Sequence, residues 1–152
     1  GWFRIVGNDT HIVTSGWINE EDALVGGPGA HIQWKREAEM QIQEYFKGAR
    51  KSFNLPLFIE GTDFQSQIWT VLKKIPFGLT RSYSELAEEL GDSKKARAVG
   101  SAVGENPFLL LVPCHRIIGS DGSLTGFAGG LERKEWLLKH EGAFGSEQLE
   151  LF

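Results

Sequence analysis

Hydrophobic and polar residues follow different patterns in the two halves of this chain. Between residues 1 and 60, short apolar runs at 3–6 and 11–14 predict two strands joined by a turn, and Trp17–Ile18 are expected to begin a third strand. No residue in this segment belongs to a recognisable catalytic or metal-binding motif. We therefore expect a scaffold here rather than a site.

One helix is predicted within the same segment. Apolar residues three or four apart from Trp34 to Phe46 share one helical face, and Gly48 follows them as a stop signal. The short apolar runs 53–55 and 57–59 are separated by a proline and are expected to form edge strands. Together these elements predict a small α+β lobe.

The second half of the chain opens with signals for three helices. Thr62-x-x-Gln65 and Ser82-x-x-Glu85 are capping boxes, in which two side chains satisfy free amides at a helix N-terminus. The first helix is expected to end at Pro76, and a third is predicted from about 94 to 103. Two short helices separated by a turn that contains Gly91 have the spacing of a helix-turn-helix.

Small residues surround one long cation on the third predicted helix, which reads Ala96-Arg97-Ala98-Val99-Gly100-Ser101-Ala102. A helix that reads the major groove usually carries long polar side chains. Small side chains instead allow close approach to a minor groove, and Arg97 is then long enough to enter the base stack where a base has left it. Tight packing between helices also explains the small residues, but it does not explain Arg97.

The lone cysteine, Cys114, stands between Pro113 and His115-Arg116, directly after the apolar segment 108–112. That segment is predicted to be a buried strand or extended segment. Histidine and arginine are costly to bury unless they are paired, whereas nearby positive charge lowers the pKa of a thiol and makes it reactive. We interpret Cys114 as a candidate nucleophile, with Glu141 available to orient His115.

A turn at 119–122 and a glycine-rich segment at 124–130 follow the cysteine. The glycine-rich segment lacks the spacing of a phosphate-binding loop, so we interpret it as the wall of a pocket for a flat ligand. The last helix is predicted from Leu131 to His140.

Composition narrows the chemistry further. One cysteine excludes an internal disulfide and a multi-cysteine zinc site, and the four histidines lack metal-ligand spacing, so neither a metal nor a cofactor is expected. No apolar stretch reaches about 18 residues, so no membrane span is expected, and a free thiol suits the cytoplasm. The net charge is −4, but residues 69–116 carry seven basic and five acidic residues, which permits phosphate contact.

Several motifs of the second half closely resemble those of the O6-alkylguanine-DNA alkyltransferases, also called methylated-DNA–protein-cysteine methyltransferases. They are Arg97-Ala98-Val99-Gly100, Asn106-Pro107, Val112-Pro113-Cys114-His115-Arg116-Ile117, Gly129-Gly130 and Lys134-x-Trp136-Leu137-Leu138-x-x-Glu141-Gly142. The resemblance runs from Thr62 to Phe144, and residues 1–60 agree only in layout.

The resemblance implies a single-turnover transferase that acts on duplex DNA as a monomer. The family flips an alkylated guanine out of the duplex and moves its O6-alkyl group onto a cysteine, and activity on O4-alkylthymine stays open. By position, Cys114 is the acceptor and His115 is its base, acting through a water. Glu141 steadies His115, and Asn106 braces the turn that carries the cysteine.

The resemblance also implies a DNA surface and a base pocket. Arg97 fills the gap left by the flipped base. Tyr83 packs closely against the phosphate and forms a hydrogen bond with the base. The remaining implied DNA contacts are Ala96, Ala98, Gly100, Ser101 and Arg116, and the implied pocket residues are Tyr83, Ile117, Phe127, Ala128 and Gly129. Many relatives carry tyrosine in place of Phe127 and some carry serine in place of Ala128, which predicts tolerance of alkyl groups larger than methyl.

The last residues resemble a second, shorter motif. Gln148, Leu149, Leu151 and Phe152 are similar to the peptide by which bacterial replication and repair proteins dock on the sliding clamp. Apolar anchors on a flexible tail suit a preformed groove. A tail that packs on its own lobe is the alternative.

The sequence thus predicts an α+β fold with a small sheet-plus-helix lobe at 1–60, a mostly helical alkyltransfer domain with a helix-turn-helix at 61–144, and a flexible tail at 145–152. Binding modules are an open alternative, either an alkyltransferase-like protein that senses lesions without repair or a helix-turn-helix regulator. The former would lack Cys114, and the latter would need base-reading side chains. A cysteine hydrolase is a third class, although adjacent side chains in an extended segment point to opposite faces.

Overall fold

The computed structural model describes residues 1–23 and 33–144. In those ranges, no helix is long and apolar enough to cross a membrane. The residues expected to bind the clamp, 148–152, lie outside the described ranges, so that expectation stays a prediction. The chain divides into two compact units, of which the first combines residues 1–60 with 107–111 and the second contains the remainder.

The first unit is built on an antiparallel hairpin of β1 (Trp2–Gly7) and β2 (Ile12–Ile18). Both predicted strands are therefore confirmed, but Trp17–Ile18 complete β2 instead of beginning a third strand. The other edge of β2 pairs with a neighbouring segment, because the Ser15 amide donates to the Pro107 carbonyl at 3.0 Å and the Leu109 amide donates to the Ser15 carbonyl at 3.1 Å.

Two helices follow the hairpin, α1 (Glu20–Ala23) and α2 (Gln33–Phe46), and the predicted helix is confirmed in α2. The edge strands expected at 53–55 and 57–59 do not form, apart from one bridge between Leu57 and Ile12. The backbone of Asn54 bonds a side chain instead of a strand, since its amide donates to Gln41 Oε1 at 2.9 Å and its carbonyl accepts from Gln41 Nε2 at 3.1 Å.

The second unit is mostly helical. Its elements are α3 (Asp63–Lys73), β3 (Arg81–Ser82), α4 (Tyr83–Glu89), α5 (Ala96–Gly104), β4 (Ile117–Ile118) and α6 (Leu131–His140), with 3-10 turns at Ser93–Lys95 and Cys114–Arg116. Strands β3 and β4 pair in parallel. Both predicted capping boxes form, because the Thr62 hydroxyl accepts from the Gln65 amide and the Ser82 hydroxyl accepts from the Glu85 amide, each at 3.1 Å.

The predicted α+β class and the three helices are confirmed, with two local differences. Asp92 caps the 3-10 turn at Ser93–Lys95, so α5 begins only at Ala96. The segment 108–112 is buried, as expected, but it is not a strand. Its backbone forms a turn at residues 109–111, and Leu110 within that turn has a positive φ of 72°.

Candidate active site

A tight backbone turn places Cys114 at the start of the 3-10 turn. Pro113 has φ −79° and ψ 61°, and the Cys114 amide donates to the Val112 carbonyl at 2.8 Å, which is the geometry of an inverse γ-turn. The Asn106 side chain donates through Nδ2 to the same carbonyl at 3.0 Å. Because proline already fixes φ near this value, the sequence and Asn106 together hold the cysteine in a buried position.

Cys114 and His115 therefore lie in a helical turn and not in the extended backbone that was expected. The alternation of side chains along a strand does not apply to this pair. The side chain that bonds the thiol is Asn106, whereas the His115 ring nitrogen Nε2 lies 2.8 Å from Glu141 Oε1.

The Glu141 carboxylate joins two side chains of the cysteine turn. Its Oε1 lies 2.8 Å from His115 Nε2 and accepts from Arg116 Nη2 at 2.9 Å, while its Oε2 accepts from Arg116 Nε at 2.9 Å. Arg116 Nη1 also donates to the Ile75 carbonyl, just after α3, at 2.6 Å. All three ionisable side chains are buried, and the two-point contact between guanidinium and carboxylate fixes their relative orientation.

These contacts set the protonation states of Glu141 and His115. Burial alone would raise the pKa of Glu141, but the hydrogen bonds and charges of His115 and Arg116 outweigh it and hold that pKa well below its usual range. Burial lowers the pKa of His115, although Glu141 partly opposes this. A neutral His115 therefore donates from Nε2 to the carboxylate, which leaves the lone pair on Nδ1.

Nδ1 is the ring nitrogen of His115 that does not contact Glu141. It is buried and has no hydrogen-bond partner among the described residues. Buried polar atoms are nearly always bonded, so such an exception points to a functional role. The relay from Glu141 through His115 thus ends in an available base.

Burial raises the pKa of the Cys114 thiol, and neither the Asn106 hydrogen bond nor the charge of Lys134 reverses this effect. The expectation that the adjacent histidine and arginine lower that pKa is wrong. His115 is held neutral, and Arg116 is paired with Glu141. The thiol is consequently protonated near neutral pH and needs a base to react.

The prediction that Arg116 contacts DNA is also wrong. Its guanidinium is buried, and its donors are directed to Glu141 and to the Ile75 carbonyl. A cation that neutralises DNA phosphates must reach solvent. Arg116 belongs instead to the ion network behind the cysteine.

Lys134 is a site residue that the sequence analysis did not assign. Its side chain is fully buried in α6, and Nζ donates to the carbonyls of Thr125 at 2.7 Å and Gly126 at 3.4 Å. Burial lowers its pKa to about 8, while negative charge on Cys114 acts in the opposite direction. The sequence does contain a signal that Lys134 is buried. Lys134 lies three, four and seven residues before the buried residues Leu137, Leu138 and Glu141, so it shares their face of the helix.

Of the other residues predicted to contact DNA, Tyr83 is the first residue of α4, and the remaining five lie on one side of α5. Arg97, Ala98 and Ser101 are exposed and Ala96 is half-buried, whereas Val99, Ala102 and Val103 face the core. A Cβ atom added to Gly100 would lie 3.7 Å from the Tyr83 ring, so the ring packs against α5 at this glycine. The helix-turn-helix therefore presents a surface of small residues with one arginine.

Four of the predicted pocket residues come from β4 and from the segment 124–130, and the fifth, Tyr83, comes from α4. Ile117 is buried in β4, Phe127 is half-buried, Ala128 is exposed, and the Gly129 carbonyl accepts from Arg133 Nη1 at 3.0 Å. Tyr83 is connected to the same segment, because the Thr125 hydroxyl donates to Tyr83 Oη at 3.5 Å. The arrangement places the candidate nucleophile Cys114, the candidate base His115 and the candidate orienting acid Glu141 in the unit that carries the helix-turn-helix.

Comparison with known proteins identifies the family. The model of the 6-O-methylguanine DNA methyltransferase DNA-binding domain matches residues 63–143. A methylated-DNA–protein-cysteine methyltransferase of Methanosarcina acetivorans is 53% identical over 131 residues, which cover 86% of this chain and 77% of that protein. One from Mycolicibacterium paratuberculosis is 42% identical over 138 residues, covering 91% and 77% respectively.

The fold leads to the same group of proteins. The crystal structure of Mycobacterium tuberculosis OGT in complex with DNA superposes with a TM-score of 0.81 at 38% identity, covering 97% of this chain and 91% of that one. This chain belongs to the methylated-DNA–protein-cysteine methyltransferase family.

We predict that Glu141→Gln destabilises the fold strongly. The substitution leaves the buried Arg116 without a counter-charge, a change that typically costs about 3–5 kcal/mol. Urea unfolding near neutral pH measures the loss. Because folding depresses the pKa of Glu141, its stabilisation is fully present above the unfolded carboxyl pKa of about 4.3 and is lost as the pH falls below it. The difference between wild type and variant should therefore shrink in acid.

Glu135→Gln is the matched control, because it breaks the exposed pair with Lys139 on the same helix. We expect that variant to lose less than about 1 kcal/mol. Equal effects of the two substitutions would contradict the assignment of Glu141 as the central acceptor.

Proposed function

We propose that this protein repairs alkylated duplex DNA by moving the alkyl group from O6 of guanine to the sulfur of Cys114, once per molecule. The observation that carries the proposal is the buried thiol beside a neutral His115 whose Nε2 is bonded to Glu141 and whose Nδ1 is available. A helix-turn-helix in the same unit and the family relationship support DNA as the substrate.

The reaction begins with the protonated thiol. His115 Nδ1 takes the thiol proton through one water molecule, and Glu141 stabilises the imidazolium that forms. The Cys114 sulfur then forms a bond to the alkyl carbon while the bond from that carbon to O6 breaks. The released electron pair stays on guanine, which takes up one proton, so the products are guanine and an S-alkylcysteine.

The product explains a single turnover. A thioether has no ready leaving group, and the alkyl sulfur stays buried in the cysteine turn. Each molecule therefore carries out one repair event.

The exposed side of α5 is suited to the minor groove. Ala98 and Ser101 are short enough for close approach to the groove, and Arg97 extends from the same surface. Extrusion of a base costs a few kcal/mol, and an arginine that fills the vacated space offsets part of that cost. Contacts of this kind depend little on base sequence, as a general repair protein requires.

The segment 124–130 and β4 supply the pocket for the extruded base. Phe127 offers an aromatic face for stacking, and the carbonyls of Cys114 and Ile117 are acceptors for the exocyclic amine of guanine. Ala128 provides neither a hydroxyl for O6 nor bulk beside the alkyl group. This composition favours a pocket that accepts groups larger than methyl.

The first experiment is intact-protein mass spectrometry after mixing with a duplex that contains one O6-methylguanine. We expect a stoichiometric gain of one methyl group, located on Cys114 by peptide mapping and absent from Cys114→Ala. Tight lesion binding with no mass gain would instead indicate a damage sensor. If neither binding nor transfer occurs, the proposed function is wrong.

Arg97→Ala should slow transfer from duplex DNA roughly ten- to a hundredfold, because part of the few kcal/mol of base extrusion is no longer offset. The rate with the free base O6-benzylguanine should not change, since a free base needs no extrusion. Single-turnover kinetics on both substrates give the comparison. Arg36→Ala, an exposed arginine on α2, is the matched control and should leave both rates unchanged.

The double substitution Phe127→Tyr and Ala128→Ser tests the pocket. The added hydroxyls should speed transfer of methyl and hinder larger groups, so the benzyl-to-methyl rate ratio should fall about tenfold, as expected for a pocket change worth 1–3 kcal/mol. Rates on O6-methylguanine and O6-benzylguanine measure it. An unchanged or increased ratio would argue against a roomy pocket in the wild type.

A further inference from the structure

A short loop before the cysteine turn belongs to the first unit, although the turn itself belongs to the second. The chain leaves the second unit after Asn106, contributes residues 107–111 to the first unit, and returns at Val112. Residues 107–111 are called the inserted loop below. Asn106 Nδ2 donates to the Val112 carbonyl at 3.0 Å, and the same carbonyl accepts from the Cys114 amide at 2.8 Å. The backbone that leaves the inserted loop therefore leads directly into the turn that carries Cys114.

Strand β2 holds the inserted loop with two side chains as well as with its backbone. The Ser15 hydroxyl donates to the Leu109 carbonyl at 2.9 Å, and the Thr14 hydroxyl donates to the Pro107 carbonyl at 2.8 Å. The Ser15 backbone adds two bonds, from its amide to the Pro107 carbonyl and from the Leu109 amide to its own carbonyl. Ser15 is only 4% exposed, so its hydroxyl is committed to the loop and not to solvent. Ser15 thus bonds the inserted loop at three points.

The backbone of the inserted loop is strained next to these bonds. Leu110 is buried and has a φ of 72°, which is uncommon for a residue with a bulky side chain. Such a conformation persists only where the surrounding structure fixes it, and residues of this kind cluster at functional sites. The peptide plane that precedes Leu110 contains the Leu109 carbonyl, which accepts from the Ser15 hydroxyl. Ser15 therefore fixes the plane from which the φ rotation of Leu110 starts.

We propose that Ser15, assisted by Thr14, is a positioning residue for the reaction of Cys114. Its hydroxyl keeps Leu110 in the strained conformation, and the loop then delivers Val112 to the place where Asn106 and the Cys114 amide meet its carbonyl. A loop that relaxes at Leu110 shifts the cysteine turn relative to the base. A displacement of about 1 Å is enough to slow a reaction about a hundredfold. The inference rests on the proposed function for the reaction that it serves.

The test compares Ser15→Thr with Ser15→Val. Both substitutions add the same branched bulk at a buried position, and only threonine keeps the hydroxyl, so the difference between the two variants isolates the bond to Leu109. Single-turnover transfer is measured with the free base O6-benzylguanine and with a duplex that contains O6-methylguanine. Hydrogen exchange of the peptide that spans residues 106–117 is measured on the free protein, because the Leu109 amide within it donates to Ser15.

We expect the maximal transfer rate of Ser15→Val to be about tenfold below that of Ser15→Thr on both substrates. The duplex concentration that gives half of the maximal rate should be the same in both, because neither substitution alters α5. Exchange in the 106–117 peptide should be about tenfold faster in Ser15→Val. Equal maximal rates overturn the proposal even if exchange differs, since the hydroxyl would then hold the loop without positioning the sulfur. A difference confined to the half-maximal concentration overturns it as well.

Gln41→Met is the matched control for a general loss of stability. Gln41 is a buried polar residue of the same unit whose side chain bonds the backbone of Asn54 and not the inserted loop. This variant should be less stable to urea but should keep the maximal transfer rate of the wild type. If Gln41→Met slows transfer as much as Ser15→Val does, the effect belongs to the stability of the unit and the proposal is wrong.

Thr14→Val tests the same contact if the Ser15 variants do not fold. Thr14 is only half-buried, and valine has nearly the same shape without the hydroxyl. The Pro107 carbonyl keeps its bond from the Ser15 amide, at 3.0 Å, so we expect a smaller effect, with transfer about threefold slower and exchange about threefold faster. Transfer at the wild-type rate would contradict the proposal.

The two proposals fail in different ways. Transfer by the wild type, at a rate that does not depend on the hydroxyls of Ser15 and Thr14, would retain the function and remove the positioning role. A wild type that transfers no alkyl group would remove the function and with it the reaction that Ser15 serves. Exchange in the 106–117 peptide would then still report whether β2 holds the inserted loop.

Discussion

The buried carboxylate of Glu141 is the constraint on which the rest of the site depends. An isolated charge in the interior is very costly, so a carboxylate survives there only if hydrogen-bond donors surround it. His115 and Arg116 supply these donors from the cysteine turn, and Arg116 extends the network to the Ile75 carbonyl. One carboxylate at the end of α6 therefore fixes the turn that carries Cys114, the orientation of the imidazole and the nitrogen that is left to act as a base.

This arrangement has a consequence for the resting protein. Glu141 neutralises the charge of Arg116, and burial raises the pKa of the Cys114 thiol more than the charge of Lys134 lowers it, so the thiol stays protonated. A protein that reacts only once is inactivated by any electrophile that alkylates its sulfur. A buried, protonated thiol is a poor nucleophile toward such compounds. Under the proposed function, reactivity then comes from the base His115, which removes the thiol proton when a substrate occupies the pocket.

Local sequence signals predicted the helices well and the segments between them poorly. The capping boxes at Thr62 and Ser82 fixed the starts of α3 and α4, because capping depends on side chains three residues apart. The segment 108–112 was misassigned, since an apolar run specifies burial but not whether its backbone is extended or turned. Asn54 was misassigned because a side chain distant in sequence, Gln41, replaces the strand partner that its neighbours suggested.

Two arginines of the motifs, Arg97 and Arg116, show which property of the site could not be predicted from the sequence. Arg97 and Arg116 both lie in the positively charged middle of the chain, and both were assigned to DNA. Only tertiary structure separates them, because Arg116 contacts a buried carboxylate at the end of α6, whereas Arg97 is exposed and pairs with no carboxylate of residues 1–23 and 33–144. The exposed side of α5, which we propose to contact DNA, thus carries one cation among small residues. Under the proposed function, we expect such a surface to bind any sequence weakly and discrimination to arise in the pocket, where an alkylated base would reach the sulfur and an intact base would not react.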